Sequence, residues 1–247
     1  MTEFIPLAKP NILKHDIDLV AEVLQSGMLV QGKYVSELEK SFMSLSNSPF
    51  ASALSNGTAT LHLALKALDI KEGDEVIVPA FSYIATANVV ELVGAKPIFV
   101  DIDINTFNID VSKIEEAITS KTKAIMPVHL YGHPANLVAL QKIADKHGLT
   151  LIEDAAQAHG ALDPAKPRGR AIAYSFYPTK NMGAPGDGGA IVTSDDTLDE
   201  IVRRLRFHGQ TELYMHVDIS TNSRLSELNA AILRRELDDL DDWTARR

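Results

Sequence analysis

The chain has 247 residues, with 24 Lys and Arg against 33 Asp and Glu for a formal charge of −9, 45% hydrophobic and 23% charged residues, and no cysteine. This composition suits one or two packed globular domains and excludes disulfide frameworks, cysteine-ligated zinc, iron–sulfur clusters and thiolate catalysis. The acidic balance speaks against nucleic acid as a partner, and without a basic-then-apolar leader or about 18 consecutive apolar residues a cytoplasmic protein with no membrane association is expected.

In chain order, short β-branched runs alternate with helical patterns, the signature of a mostly parallel α/β sheet with flanking helices. The strand candidates are Ala51 to Leu54, Glu75 to Val78, Lys96 to Val100, Lys123 to Val128, Thr150 to Ile152, Ala171 to Phe176 and Gly189 to Thr193. Most are apolar on both faces, as strands covered on both sides must be. Helical patterns lie between them at about Thr58 to Leu68, Ile84 to Val93, Val111 to Ile118, Ala135 to His147 and Leu198 to Phe207. The strongest helix is Arg224 to Trp243, with Leu225, Leu228, Ile232 and Leu233 on one stripe. Its acidic stretch Glu236 to Asp242 reads as a solvated face. No linker divides the sequence, and the ending Asp-Asp-Trp-Thr-Ala-Arg-Arg is still helical in character, as if cut.

Three local patterns carry chemistry. Ser55-Asn56-Gly57-Thr58 falls between a strand and a helix start, where free N–H groups and the helix dipole favour a phosphate; an ordinary N-cap is the alternative. Glu153-Asp154 stands at the carboxyl end of a strand, where open α/β sheets bind ligands and one carboxylate can pair with a cationic heterocycle; a carboxylate capping the next turn reads equally well. Gln157 and His159 follow and should project near the same edge. Lys180 precedes a glycine-rich stretch and is either an ordinary surface lysine or a Schiff-base lysine made nucleophilic by desolvation. An anion cradle, a strand-end acid and a loop lysine are together the groups that pyridoxal phosphate requires for its phosphate, ring nitrogen and aldehyde. His129 and His133 have an i, i+4 spacing, but Tyr-Gly between them and Pro134 after them argue against a helical metal site.

The ordered motifs Ile5 to Pro10, Ser26-Gly27 with Gln31-Gly32, Ser55 to Thr58, Pro79 to Thr86, Pro127 to Gly132, Glu153 to Gly160, Ser175 to Gly183 and Asn222 to Leu225 resemble the DegT/DnrJ/EryC1/StrS family over essentially the whole chain. These are pyridoxal-phosphate-dependent nucleotide-sugar aminotransferases of the aspartate-aminotransferase fold (fold type I). The resemblance implies that Lys180 forms the Schiff base and moves the proton, that Asp154 keeps the ring nitrogen protonated, and that Gln157 bonds the phenolic oxygen. It further implies that Tyr83 stacks on the ring, that Gly57, Thr58 and Ser175 hold the phosphate, and that Asn222 reaches the phosphate of a neighbouring subunit in a homodimer with shared active sites. Without the resemblance, Asn222 reads only as the N-cap of the last helix.

The implied substrates are a nucleotide-linked ketosugar and an amino-acid donor, glutamate first. The implied organisation is a cofactor-binding large domain over 1–247, with an N-terminal arm over 1–30 and a smaller C-terminal domain that is absent here. Gly169-Arg170 replaces a common Gly-Asp, and Met28 a frequent aromatic. A sugar dehydratase of the same fold would carry histidine in place of Lys180, and a catalytically inactive cofactor or sugar binder is the further alternative.

Overall fold

The computed structural model describes residue 5 and residues 10–163 and 168–246. Among them, strands β1 (Phe50–Leu54), β2 (Glu75–Pro79), β3 (Lys96–Val100), β4 (Thr122–Ile125), β5 (Thr150–Asp154), β6 (Ala171–Ser175) and β7 (Gly189–Thr193) form one sheet in the order β1-β7-β6-β5-β4-β2-β3. The pairs from β6 to β3 are parallel, whereas β7 runs antiparallel to both β6 and β1. Helices α1 (Lys14–Ser26), α2 (Lys33–Ser46), α3 (Gly57–Ala67), α4 (Ala85–Leu92), α5 (Ile114–Ala117), α6 (Leu137–His147), α7 (Asp196–Leu205), α8 (Glu227–Glu236) and α9 (Leu240–Arg246) surround it. A hairpin of β8 (Gln210–Glu212) and β9 (Met215–His216) stands apart. No helix among the described residues is long and apolar enough to cross a membrane.

The strands are apolar on both faces because both faces are covered. Ala171, Ala173 and Ile191 pack with α3, α4 and α7, while their neighbours Ile172, Tyr174, Ala190 and Val192 pack with α2 and α8. Further along the same sheet, Val76, Val78 and Ala124 join the first layer, whereas Ile77, Ile125 and Leu151 meet Leu140 and Ala144 of α6. The two-residue alternation of a strand thus sorts side chains into the two outer layers of an α/β/α sandwich.

The sequence expectations hold for the order of the strands and most helices, with differences that have local causes. Helices α1 and α2 are absent from the sequence reading, which has an arm over 1–30 and no element over α2. On α2, Val35, Leu38, Phe42 and Ser46 are buried at helical spacing. Its N-cap is Gly32, which has no side chain to offer; the Glu227 carboxylate accepts instead from the N–H groups of Gly32, Tyr34 and Val35 at 2.8, 2.8 and 2.9 Å. The helix start is therefore capped from 195 residues away.

The expected helix Val111 to Ile118 is a 3-10 turn, Val111–Lys113, followed by the one-turn α5, because Asp110 Oδ1 accepts from the Ser112 N–H and tightens the start. The last helix starts at Glu227 rather than Arg224, and a 3-10 turn over Leu237–Asp239 separates α8 from α9. Its N-cap is Ser226, whose Oγ accepts from Asn229 N at 3.3 Å, and not Asn222. Asn222 and Arg224 are held extended by bridges to Phe207 and Leu54. The expectation of a solvated face over Glu236 to Asp242 fails at Glu236, which is buried.

Candidate active site

The strand directions bring the sequence candidates to one sheet edge. Strands β2, β4, β5 and β6 end there, and because β7 is antiparallel to both neighbours, β1 also ends there beside the start of β7. Leu54 and Ser175 both pair with Gly189, so the turn before α3, the end of β6 and the loop carrying Lys180 are neighbours. This is the carboxyl edge of an open α/β sheet, where ligands bind.

Asp154 closes β5 and is buried. Its Oδ1 accepts from Ala156 N at 3.1 Å, and its Oδ2 accepts from the Thr86 hydroxyl at 2.9 Å. Thr86 spends its proton on Asp154, so the Ser82 hydroxyl 3.0 Å away donates to Thr86 Oγ1. Ser82, Thr86 and Asp154 thus form a chain that fixes the carboxylate. Burial pushes the Asp154 pKa above the usual carboxylate range, against the opposing pull of the Ala156 N–H, the Thr86 hydroxyl, Lys180 and His129. Sequence reasoning missed Ser82 and Thr86, whose only signal is their place three and seven residues after Pro79, the end of β2.

Lys180 lies half-buried beyond β6, in a lap closed by Lys180 N donating to Tyr177 O and Ala184 N donating to Phe176 O, both at 2.8 Å. Burial lowers its pKa, partly countered by Asp154. It lines a cavity of about 440 Å³ with Asn11, Thr179, Asn181, Glu236 and Trp243.

The turn before α3 is built to sit close to β6. A Cβ on Gly57 would lie 2.6 Å from Ser175 Cβ and 2.9 Å from its Oγ, so only glycine allows this approach. Asn56 caps the helix, accepting from Ala59 N at 2.7 Å, and Thr60 N makes the first intrahelical bond to Asn56 O. That leaves the N–H groups of Gly57 and Thr58 as the free donors of the first turn, beside the Ser175 hydroxyl. Both readings of Ser55 to Thr58 are therefore true of different residues, with Asn56 the cap and Gly57-Thr58 the open donors.

Gln157 sits at the same edge with Oε1 accepting from Tyr131 N at 2.8 Å, which points its amide NH₂ away as a free donor. Tyr83 is 75% exposed, and Asn222 is exposed with its oxygen held by the Arg224 Nε at 3.0 Å. Within one chain neither is drawn into the Asp154–Lys180 group. One expectation is corrected. His159 does not project at the edge but is buried against the Tyr174 and Phe176 rings, at centroid distances of 5.3 and 5.7 Å. His129 has both ring nitrogens engaged: its Nδ1 accepts from Ala135 N at 3.0 Å, so Nε2 carries the proton donated to Glu153 at 2.8 Å. No group of three metal-binding side chains occurs among the described residues.

The sequence profile of the DegT/DnrJ/EryC1/StrS aminotransferase family matches residues 10–247. The chain belongs to this family. It is 47% identical over 242 residues to a Geobacillus stearothermophilus protein named pleiotropic regulatory protein, covering 97% of this chain and 64% of that one. It is 46% identical over 235 residues to the dTDP-3-amino-3,4,6-trideoxy-alpha-D-glucose transaminase of Streptomyces venezuelae, covering 92% and 61%. The solved structure of S. venezuelae DesV superposes with a TM-score of 0.90 at 43% identity, over 94% of this chain and 63% of that one. The chain therefore spans a little under two thirds of the length of these relatives. The fold is that of the fold type I aminotransferases.

Pyridoxal phosphate is the cofactor of this family, and solved relatives are described in pyridoxamine and pyridoxal phosphate forms. The residues present fit it. The cradle at Gly57 is one that a Cβ would fill, its two N–H groups suit a phosphate, and a buried carboxylate with a raised pKa would be relieved by a protonated ring nitrogen.

Proposed function

We propose that the chain is the cofactor-binding large domain, over residues 1–247, of a transaminase that moves an amino group from an amino-acid donor, glutamate first, to a keto group of a nucleotide-linked deoxysugar. The observation that carries this reading is the convergence of Asp154, Lys180 and the Gly57–Ser175 cradle at one sheet edge. When bound, pyridoxal phosphate supplies an aldehyde that takes up amines and a ring that delocalises the electrons of a deprotonated carbon.

The chain's own groups divide the remaining work. Gly57, Thr58 and Ser175 hold the phosphate. Asp154, fixed by Thr86 and Ser82, remains ionised against a ring N–H, and Gln157 donates its free NH₂ to the phenolic oxygen. Lys180 would hold the cofactor through its amine and, as a free amine, would carry the proton that moves in amino transfer. Its lowered pKa keeps a larger share of the amine neutral and able to do both.

The same reading includes a homodimer in a cytoplasmic setting. Tyr83 and Asn222 are exposed in a single chain, and the β8–β9 hairpin exposes Leu213, Tyr214, Met215, Val217 and Ile219. A second copy laid on these surfaces would cover apolar area and bring Asn222 to the partner's phosphate. Against a dehydratase of this fold stands Lys180 where that activity would place histidine. A binder without catalysis is the second reading, favoured by the regulatory name of the Geobacillus relative.

Borohydride reduction in the presence of pyridoxal phosphate, followed by peptide mapping, is expected to place the adduct on Lys180, and glutamate added to the loaded protein should shift its absorbance to that of the aminated cofactor. An adduct on another lysine would overturn the assignment. Loading at Lys180 without any change on adding donor would favour the non-catalytic binder.

A further inference from the structure

Glu236, the last residue of α8, is 4% exposed although it opens an acidic run. Its Oε2 accepts from the Gly183 N–H at 3.2 Å, and its side chain lines the same cavity as Lys180. Gly183 lies in the lap that carries Lys180, and a Cβ there would lie 2.6 Å from the Pro178 carbonyl oxygen, so only glycine allows this close approach. The carboxylate therefore grips the lap by its backbone at the residue where it is tightest.

The charges around Glu236 are unbalanced. Arg235 is the cation in contact: its Nε lies 2.9 Å from Asp16 on α1, its Nη1 2.5 Å from Asp239 in the 3-10 turn, and its Nη2 only 3.9 Å from Glu236. Lys180 and Asn181 on the lap and Arg246 on α9 line the cavity beside it. One guanidinium is shared among three carboxylates, and Glu236, itself buried, is the one that lies farthest from it. Burial first, then the nearby Asp16 and Asp239, raise the Glu236 pKa to about 7, against Arg235 and the Gly183 N–H.

We infer that Glu236 is a positioning residue for Lys180, holding the Pro178–Gly183 lap through the Gly183 N–H more firmly when ionised than when protonated. This rests on the reading of Lys180 as the amine that captures the cofactor. A charged acceptor holds an N–H more strongly than a neutral one, so the lap loosens as Glu236 gains its proton. Lys180 feels this through the backbone, and the amine of the chain's proposed chemistry is tuned from α8, outside the cofactor's own contacts.

The test uses the full chain and needs no turnover. Exchange of the Gly183 amide, divided by its intrinsic rate at each pH, is expected to rise roughly three- to tenfold on going from pH 8 to pH 6 in the wild-type protein. In Glu236→Gln the amide oxygen still accepts but does not titrate, so the profile is expected to be flat. The rate of borohydride-trapped capture of pyridoxal phosphate at Lys180, as the wild-type to Glu236→Gln ratio, should change over the same range. A flat Gly183 profile in the wild type, or an equal slope in the variant, with capture still at Lys180 overturns the role of Glu236 alone. Capture at a different lysine overturns the parent reading, whatever Gly183 does.

Discussion

Two groups of buried charge lie on opposite sides of this molecule's economy of pairing. Between α2, β1 and α7, Glu39 accepts from Arg203 Nη1, Arg206 Nη1 and Ala53 N at 3.0, 2.5 and 2.9 Å, while Asp199 accepts from Arg203 Nε and the Ser52 hydroxyl at 2.6 and 2.8 Å. The arginines donate onward to the carbonyls of Ala51 and Ala53. Two cations meet two anions, and each carboxylate is ion-paired with an arginine. At the carboxyl edge, Asp154 and Lys180 form no ion pair; each is held by burial in a state that its charge resists. Complete pairing makes the first group a structural clamp. Incomplete pairing leaves the second able to accept a cofactor's charge, which is the usual mark of a functional site.

Substitutions should separate the two groups. Glu39→Ala leaves Arg206 buried without its partner and is expected to destabilise the chain by about 3–5 kcal/mol, read by denaturant unfolding. Unfolding unchanged by this substitution would remove the clamp from the comparison. Asp154→Asn reverses the pattern: amino transfer should fall by roughly 10²–10³-fold, while the cofactor-free protein unfolds no more easily, since the lost charge was a buried burden. A large loss of cofactor-free stability would place Asp154 with the clamp instead.

Stability against pH sharpens the contrast at Glu236. Its folded pKa lies above 4.5, so the stabilisation from its bound proton is complete below that value and is lost as pH rises through about 7. Glu236→Gln is therefore expected to gain up to about 3 kcal/mol at pH 8 and little at pH 4.5, seen as a flatter stability profile. Gly57→Ala is the smallest probe. It should weaken inorganic phosphate and cofactor binding by roughly tenfold, about 1–2 kcal/mol, by pushing α3 off Ser175. Tight phosphate binding in that variant would place the anion elsewhere.

Much of the candidate site was legible because its signals are local. Lys180, Asp154 and Gly57 each follow a strand and carry chemistry that a short stretch displays. Thr86, in the first turn of α4, and Ser82 before it were invisible as supports of Asp154 because a hydroxyl looks the same in sequence whether it meets water or a carboxylate 68 residues away. Helix α2 went unread for a related reason. Its cap is the Glu227 carboxylate, and a search for Ser, Asp or Asn just before the helix finds only Gly32. Glu236 was misread because a charge run on a helix is solvated unless something packs on it, and what packs there is the lysine lap.

The sequence by itself determined the alternation of strands and helices, the doubly covered sheet and the residue types that answer to a pyridine ring, a phosphate and an aldehyde. Those follow from periodicity and from side-chain chemistry, which are properties of a few consecutive residues. Only the tertiary structure decided which of those groups meet, which carboxylates are paired and which are left in want of a cation. Burial and the long-range approach of α8 to the N-terminal helices set the local dielectric and the count of donors, and no short window of sequence contains either.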